Sequence, residues 1–376
     1  VPSWRAFRSA RADRAIALAE RAWPQRRGDA RFVDAYAEAL QVRAQTQRAA
    51  GQPAQGIGLL ERAVTLLDQA LPLQRGAERR TLRLRRGAVL ITHAQFHDQQ
   101  SIPSLDLPEK ALALYAQSEA ELLALDAEQA DLETGNLLAS LYAGRAITHG
   151  RLSNLARARA DAEQALRYRQ RAVAAEPGNV AWRDRLVNDA TNAGVILLRA
   201  GEPGPALLAT QAAWEHVQAL ARENGPGNQW LALQPRVAQH HARALLANQR
   251  ATEALPVVAQ ALAGWQARHA AQPTPHTERM TAWMVLQQAK AQWGAGQPAT
   301  ARAGGQSVVT TLERLASAPK AGDAMLNLGE ACLFMAAASP TQRDAWLARA
   351  RAAYARAAEL RPLTGDHLTN YRAAGG

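Results

Sequence analysis

His93 and His97 stand four residues apart, with Asp98 directly after them. On a helix that spacing puts both imidazoles on one face, which is what a two-histidine metal site requires. No third ligand stands nearby in the sequence, so a polar cluster at a helix end competes with the metal reading. His240 and His241 are consecutive. Neighbouring helical positions point about 100° apart, so this pair does not face one ligand, and both are expected on the surface or in a groove. Cys332 is the single cysteine, so no intrachain disulfide forms. Its setting, Ala331-Cys332-Leu333-Phe334-Met335, predicts a buried, inert thiol. One cysteine suits the cytosol and an oxidising compartment alike.

Arg75, Arg79, Arg83 and Arg86 follow helical spacing on one face, and Glu78 is the acid nearest to them in sequence. Such a stripe repels itself unless acids from a neighbouring helix or a partner compensate it. Arg79, Arg83 and Arg86 are therefore candidates for partner binding, with intramolecular pairing or solvation as the competing reading. Asn188 and Asn192 lie four apart on one predicted helix. Amides on a groove-lining helix grip a peptide backbone, which makes them candidates too, against plain surface decoration. No phosphate-cradling Gly-x-x-x-x-Gly-Lys-Ser/Thr, His-Glu-x-x-His, kinase His-Arg-Asp or Asp-Phe-Gly is present. No catalytic residue, cofactor or metal is expected.

These residues need elements to position them. Hydrophobic residues make up 48% of the 376, heavily alanine, the strongest helix former. Strand-like alternation is absent, so the chain reads as all-α. The net charge of +11 rests almost entirely on arginine, since Lys110, Lys290 and Lys320 are the only lysines. Attraction to an anionic partner competes with a GC-rich coding bias as its origin. A nucleic-acid surface interleaves aromatics with its cations, and the arginine stripe has none until Phe96. No nucleic-acid partner is expected.

Gly51-Gln52-Pro53, Gly201-Glu202-Pro203 and Gly296-Gln297-Pro298 punctuate the chain, 150 and 95 residues apart. That is about three and two copies of a unit of roughly 48 to 50 residues, a period that marks a solenoid. Glycine past one helix end and proline opening the next read as the turn of a helical hairpin. A basic leading helix (1–28) precedes a region (29–376) of about seven hairpins. They span roughly 29–71, 76–126, 131–175, 180–223, 229–271, 276–318 and 322–360. The second turns through a long loop (97–107); the others turn near Gly51, Gly150, Gly201, Asn248, Gly296 and Ser339-Pro340. Most tryptophans, from Trp182 to Trp346, are expected as wedges between helices.

In the last hairpin Ala350, Tyr354, Ala357 and Pro362 are spaced four, three and five apart. This resembles the second helix of a tetratricopeptide repeat (TPR). The third hairpin has Ala165, Ala172 and Pro177 at matching offsets, with Arg169 in the aromatic position and Tyr168 beside it. The other hairpins keep the period without the motif, and the units exceed the 34 residues usual for the family. The resemblance implies a right-handed superhelical α-solenoid whose first helices line a concave face.

A narrower resemblance concerns the order of features. An arginine-rich leading helix precedes long degenerate repeats. One repeat opens with Val180-Ala181-Trp182-Arg183-Asp184-Arg185-Leu186. A polar loop runs into Pro108-Glu109-Lys110-Ala111-Leu112-Ala113-Leu114-Tyr115. This looks like the C-terminal repeat region of membrane-spanning bacterial serine/threonine protein kinases. It implies a periplasmic sensor that binds a peptide, protein or small-molecule signal, with a kinase domain and a membrane helix upstream. The competing reading is a soluble, cytoplasmic scaffold that assembles a protein complex. The chain opens on Val1, so an upstream portion is expected. No signal peptide and no apolar stretch of about 18 residues are visible within it.

Overall fold

A computed structural model describes the backbone of residues 4–99, 103–318, 321–360, 363 and 366–376, and side chains in those ranges from Ala10 onward other than Asp366. Gln100, Ser101, Ile102, Lys320 and Pro362 lie outside the described residues, as do the side chains of Arg5, Phe7 and Arg8. Among the described residues the chain is helical throughout, without strands. No helix of the described residues is long and apolar enough to cross a membrane.

A leading helix α1 (Trp4–Arg26) is followed by α2 (Ala30–Ala49), α3 (Pro53–Ala70), α4 (Gly76–His97), α5 (Pro108–Glu128), α6 (Leu132–Arg151) and α7 (Leu155–Ala175). Then come α8 (Val180–Arg199), α9 (Pro203–Glu223), α10 (Gln229–Ala247), α11 (Ala251–Ala271), α12 (Pro275–Gly294), α13 (Pro298–Ala316), α14 (Gly322–Ala338), α15 (Arg343–Leu360) and a short α16 (Asp366–Ala373). The chain divides into two compact units, Val1–Gly178 and Asn179–Gly376. Within each unit the helices pack as consecutive hairpins, α2 with α3 through α6 with α7, and α8 with α9 through α14 with α15. This is the all-α, TPR-like helical repeat that the sequence predicts.

The punctuation of the hairpins is chemical and repeats. Five turns share one backbone motif. Gly51, Ser153, Gly201, Gln249 and Gly296 all take positive φ, from 59° to 82°. In each case that residue's N–H bonds the carbonyl three back, and the next N–H bonds the carbonyl five back. These paired bonds satisfy the last carbonyls of the first helix. The steps from Ser153 to Gly201 and from Gly201 to Gln249 are 48 residues each. At the opposite end, Asp29, Asp131, Asn179, Asn228 and Thr274 cap the first helices α2, α6, α8, α10 and α12, each side chain accepting from backbone N–H groups. Each such cap is worth about 1 kcal/mol.

The second helices share a buried register. Leu67, Tyr115, Arg169, Trp214, Trp265, Leu312 and Tyr354 are all buried, one per hairpin. Four residues before each stands another buried residue: Ala63, Ala111, Ala165, Thr210, Ala261, Val308 or Ala350. Large residues thus wedge between helices, and the smaller ones let backbones approach. At the C-terminal hairpin, a Cβ on Gly329 of α14 would stand 2.6 Å from the Tyr354 ring. Arg169 fills the wedge position of α7 by bonding Asn136 and, at 2.8 Å, Ser140 Oγ on α6.

Candidate groove of the second unit

In the second unit the first helices of successive hairpins touch: α8 with α10, α10 with α12 and α12 with α14. Among the described residues no comparable packing joins successive second helices. Helices that approach on one side and splay on the other make a curved stack. The first helices therefore line its inner face.

A polar stripe crosses that face. Trp230 Nε1 on α10 donates to Asp184 Oδ1 on α8 at 2.7 Å. Arg236 Nη2 donates to Asn188 Oδ1 at 2.8 Å, and Asn188 Nδ2 donates to the Asp184 carbonyl at 3.0 Å. Asn192 is half-buried one turn further along α8. Two turns beyond Arg236 on α10, the Arg243 guanidinium lies 5.6 Å from the ring centroid of Trp283 on α12. From α14, Glu330 accepts from Trp283 Nε1 at 3.0 Å, Gln287 Nε2 at 3.3 Å and Lys290 Nζ at 2.6 Å. Burial alone would raise the Glu330 pKa, but Lys290, the Trp283 indole and the nearby charge of Arg243 hold it down at about 2.

The balance of the stripe is positive. Lys290 is matched by Glu330, whereas among the described residues Arg236 meets only the neutral Asn188 as a hydrogen-bond partner, and its Nε is buried without one. Burial and then Arg268 push the Arg236 pKa below its ordinary value. Between Arg236 and Arg243, His240 is pushed down to about 3, first by burial and then by those two arginines. It stays neutral at physiological pH. Beside Arg243 a cleft of about 640 Å³ opens, lined also by Leu246, Ala247, Trp293 and Gly294. Trp293 is 37% exposed there, although its ring also meets Phe334 edge-on.

The other sequence candidates lie elsewhere. Arg83 on α4 of the first unit is held between Glu121 and Glu128 of α5. Arg86 is paired with Asp68 of α3 at 2.6 Å and with Glu121 at 3.7 Å. Arg79 is exposed, with Glu128 near it. The acids that compensate this stripe come from neighbouring helices, where the sequence showed only Glu78 close by. His93 and His97 are both buried, their rings 5.0 Å apart. Burial, and then His97, pushes the His93 pKa down to about 4. Among the described residues no group of three or more His, Cys, Asp or Glu is placed to hold a metal ion.

The histidine pair on α10 needs one correction. His240 faces the groove, but His241 is buried under Trp214 and shares a 3.2 Å hydrogen bond with Thr210. The preceding turn of α9 supplies that covering, and local spacing gives no sign of it. Cys332 is fully buried, and burial pushes its thiol up to about 11. Trp214, Trp230, Trp265, Trp283 and Trp346 are buried between helices. Sequence reading passed over Arg236, Arg243, Lys290 and Glu330. The signal that would have found them is their recurrence between the eighth and sixteenth positions of the first helices.

No protein-family model matches the chain, and no curated protein does. Solved structures do. The crystal structure of BtubC (BKLC) from P. vanneervenii is 17% identical over 73% of this chain and 96% of that one, with a TM-score of 0.46. A signal-transduction ATPase with numerous domains and a TPR sensor, from Pyrococcus horikoshii, is 14% identical over 95% of this chain and 47% of its own, with a TM-score of 0.47. A Rap protein complexed with competence and sporulation factor is 12% identical over 90% of this chain and 80% of its own, also with a TM-score of 0.47.

Proposed function

We propose that the chain is a non-catalytic helical-repeat module that binds a peptide or protein segment on the first-helix face of its second unit. One observation carries this reading. Asn188, Arg236, Arg243, Trp283 and Lys290 form a continuous inward polar stripe over three hairpins. Inward polar groups add nothing to a core, and a curved inner face is where an extended chain gains contacts with several hairpins at once.

The test is selection of peptides from a random-sequence library against the whole chain. The indole N–H resonances of Trp230, Trp283 and Trp293 serve as groove reporters. Selected peptides should shift those signals, and Asn188→Ala with Asn192→Ala should weaken binding while the melting temperature holds. Peptides that shift only signals from the first unit would move the site there.

As a module, the chain serves as a scaffold or adaptor for protein assembly. The resemblance of its repeats to those of membrane-spanning serine/threonine kinases supports a finer proposal: an extracytoplasmic sensor, facing the periplasm. That version requires a transmembrane helix and a kinase domain upstream of Val1 in the full-length protein. It also requires loss of stimulus response when the groove is altered. Kinase output and stimulus response that survive deletion of the whole repeat region would leave the scaffold.

A further inference from the structure

We infer that Asn224 is a site of spontaneous covalent self-modification, at which the side-chain amide closes on the backbone nitrogen of Gly225 and the turn between α9 and α10 gains a carboxylate. The reaction needs water and no second protein. The Gly225 nitrogen loses its proton and bonds to Cγ of Asn224. The Cγ–Nδ2 bond breaks, and Nδ2 leaves as ammonia, taking up the proton that the nitrogen lost. Water then opens the cyclic imide. Cleavage between Cγ and the ring nitrogen gives aspartate. Cleavage between the main-chain carbonyl carbon and that nitrogen gives isoaspartate, whose backbone runs through the former side chain. Nucleophile and target sit on adjacent residues, so the attack has the high effective concentration of an intramolecular step.

Asn224 is the asparagine that precedes a glycine; each of the others precedes a residue with a side chain. A following Cβ crowds the attacking nitrogen, and glycine has none. Asn224 is exposed just past α9, and Gly225 takes a positive φ of 72°. Nothing stands within 4 Å of where a Gly225 Cβ would be, so the approach is open. Among the described residues neither the Gly225 N–H nor the Asn224 carbonyl has a hydrogen-bond partner. The peptide plane that must swing toward Cγ is therefore untied. Asn224 is held by its own N–H and by Nδ2, which both donate to the Leu220 carbonyl, at 3.2 and 2.8 Å. Rotation about ψ, now 10°, and release of the exposed Nδ2 bond complete the approach. Asn179 and Asn228 also stand between helices, but their side chains cap the helix that follows, and the next residue is already helical. The product changes the turn. A carboxylate gives no donor to Leu220. It adds negative charge at the C-terminal end of α9, beside Glu223, which already holds Arg183. Isoaspartate also lengthens the backbone ahead of Asn228, whose Nδ2 ties the Ala221 and Gly225 carbonyls across the turn. Conversion loosens the step from α9 to α10.

The test is incubation of the whole folded chain at pH 7 and at pH 8, followed by tryptic mapping with mass spectrometry. Cleavage after Arg222 and Arg236 releases one peptide, 223–236, and fragmentation separates Asn224 from Asn228 within it. Asn224 should gain the mass of an amide-to-acid conversion at least about tenfold faster than any other asparagine, because glycine leaves the nitrogen unshielded. Aspartate and isoaspartate should both appear. The rate should rise about tenfold from pH 7 to pH 8, since the nitrogen attacks only after losing its proton. Asn224→Gln should abolish conversion at this position. Asn224→Asp should melt below the parent chain and show faster amide exchange at the end of α9, as the converted chain does. An Asn224 that stays intact in the folded chain, while the isolated peptide 223–236 converts in solution, overturns the proposal, because the fold then blocks the attack. So does another asparagine that converts as fast, or a rate independent of pH. A converted chain that melts and exchanges like the parent overturns the loosening of the turn and leaves the modification.

Discussion

Arginine meets two kinds of partner in this fold, and a clear example of each lies in a different unit. In the first unit, several arginines are spent on carboxylates of other elements, although Arg48 and Arg169 bond neutral groups. Arg145 of α6 makes paired bonds to Glu119 of α5 and Asp161 of α7. Arg85 reaches Asp34 and Glu38 of α2, and Arg80 reaches Asp131. In the second unit, Arg183 and Arg349 are likewise paired with Glu223 and Glu313, whereas Arg236 meets an amide. The net charge of +11 therefore locates no site by itself. A cation becomes available to a partner where the neighbouring helix fails to offer an acid, and that depends on which helices are neighbours.

The largest test of this contrast is removal of one arginine from each unit. Arg145→Ala leaves the carboxylates of Glu119 and Asp161 poorly compensated and should cost about 3 to 5 kcal/mol in chemical denaturation. Arg236→Gln should change stability by less than about 0.5 kcal/mol. Equal costs would erase the distinction between structural and available arginines.

Tyr354→Ala is of similar size, about 3 to 5 kcal/mol, because the ring is fully buried and pressed against Gly329. Repeat arrays couple mainly through neighbours, so hydrogen exchange should rise first in α14 to α16 and leave the first unit protected. A uniform rise through both units would show that they unfold as one.

Acid should loosen both units through buried histidines. His93 and His241 have native pKa values of about 4, below their unfolded value near 6.5, and His97 and His149 are also lowered by burial. The native state then binds fewer protons. Their contribution is intact above about pH 6.5 and is lost as pH falls from there through about 4. Glu330, held at about 2, keeps its lock on Lys290 through that window. Urea titrations at pH 7 and pH 5 measure the loss, and His93→Met should flatten it. A stability unchanged over that range would place these rings in contact with water.

The smallest effects separate turns of equal geometry and different sequence. Ser153→Gly and Gln249→Gly relieve a left-handed backbone at φ 59° and should each gain about 1 kcal/mol. Gly201→Ala, at φ 78°, should lose about 1 kcal/mol. Melting curves of the three variants check the motif in the first unit and in the second.

The helices, their ends and the period of about 48 residues are legible in the sequence because they are local. Alanine-rich helices end at Gly51, Gly201 and Gly296, where a missing Cβ frees the backbone, and proline opens the helices that follow. The sequence places these turns near Gly150 and Asn248, just short of Ser153 and Gln249, because neither residue type advertises a positive φ as glycine does. The wedge register was visible at Tyr354 and, through its alanines, around Arg169. At Leu67 and Leu312 a leucine reads as any core residue. Tertiary structure alone decided the charges. Arg83 and Arg86 are satisfied by α3 and α5, and Arg236 is left to Asn188 from 48 positions away. Coulomb and hydrogen-bond energies depend on separation in space, and the stacking of hairpins, not the order of residues along one helix, sets which acid or amide each guanidinium meets.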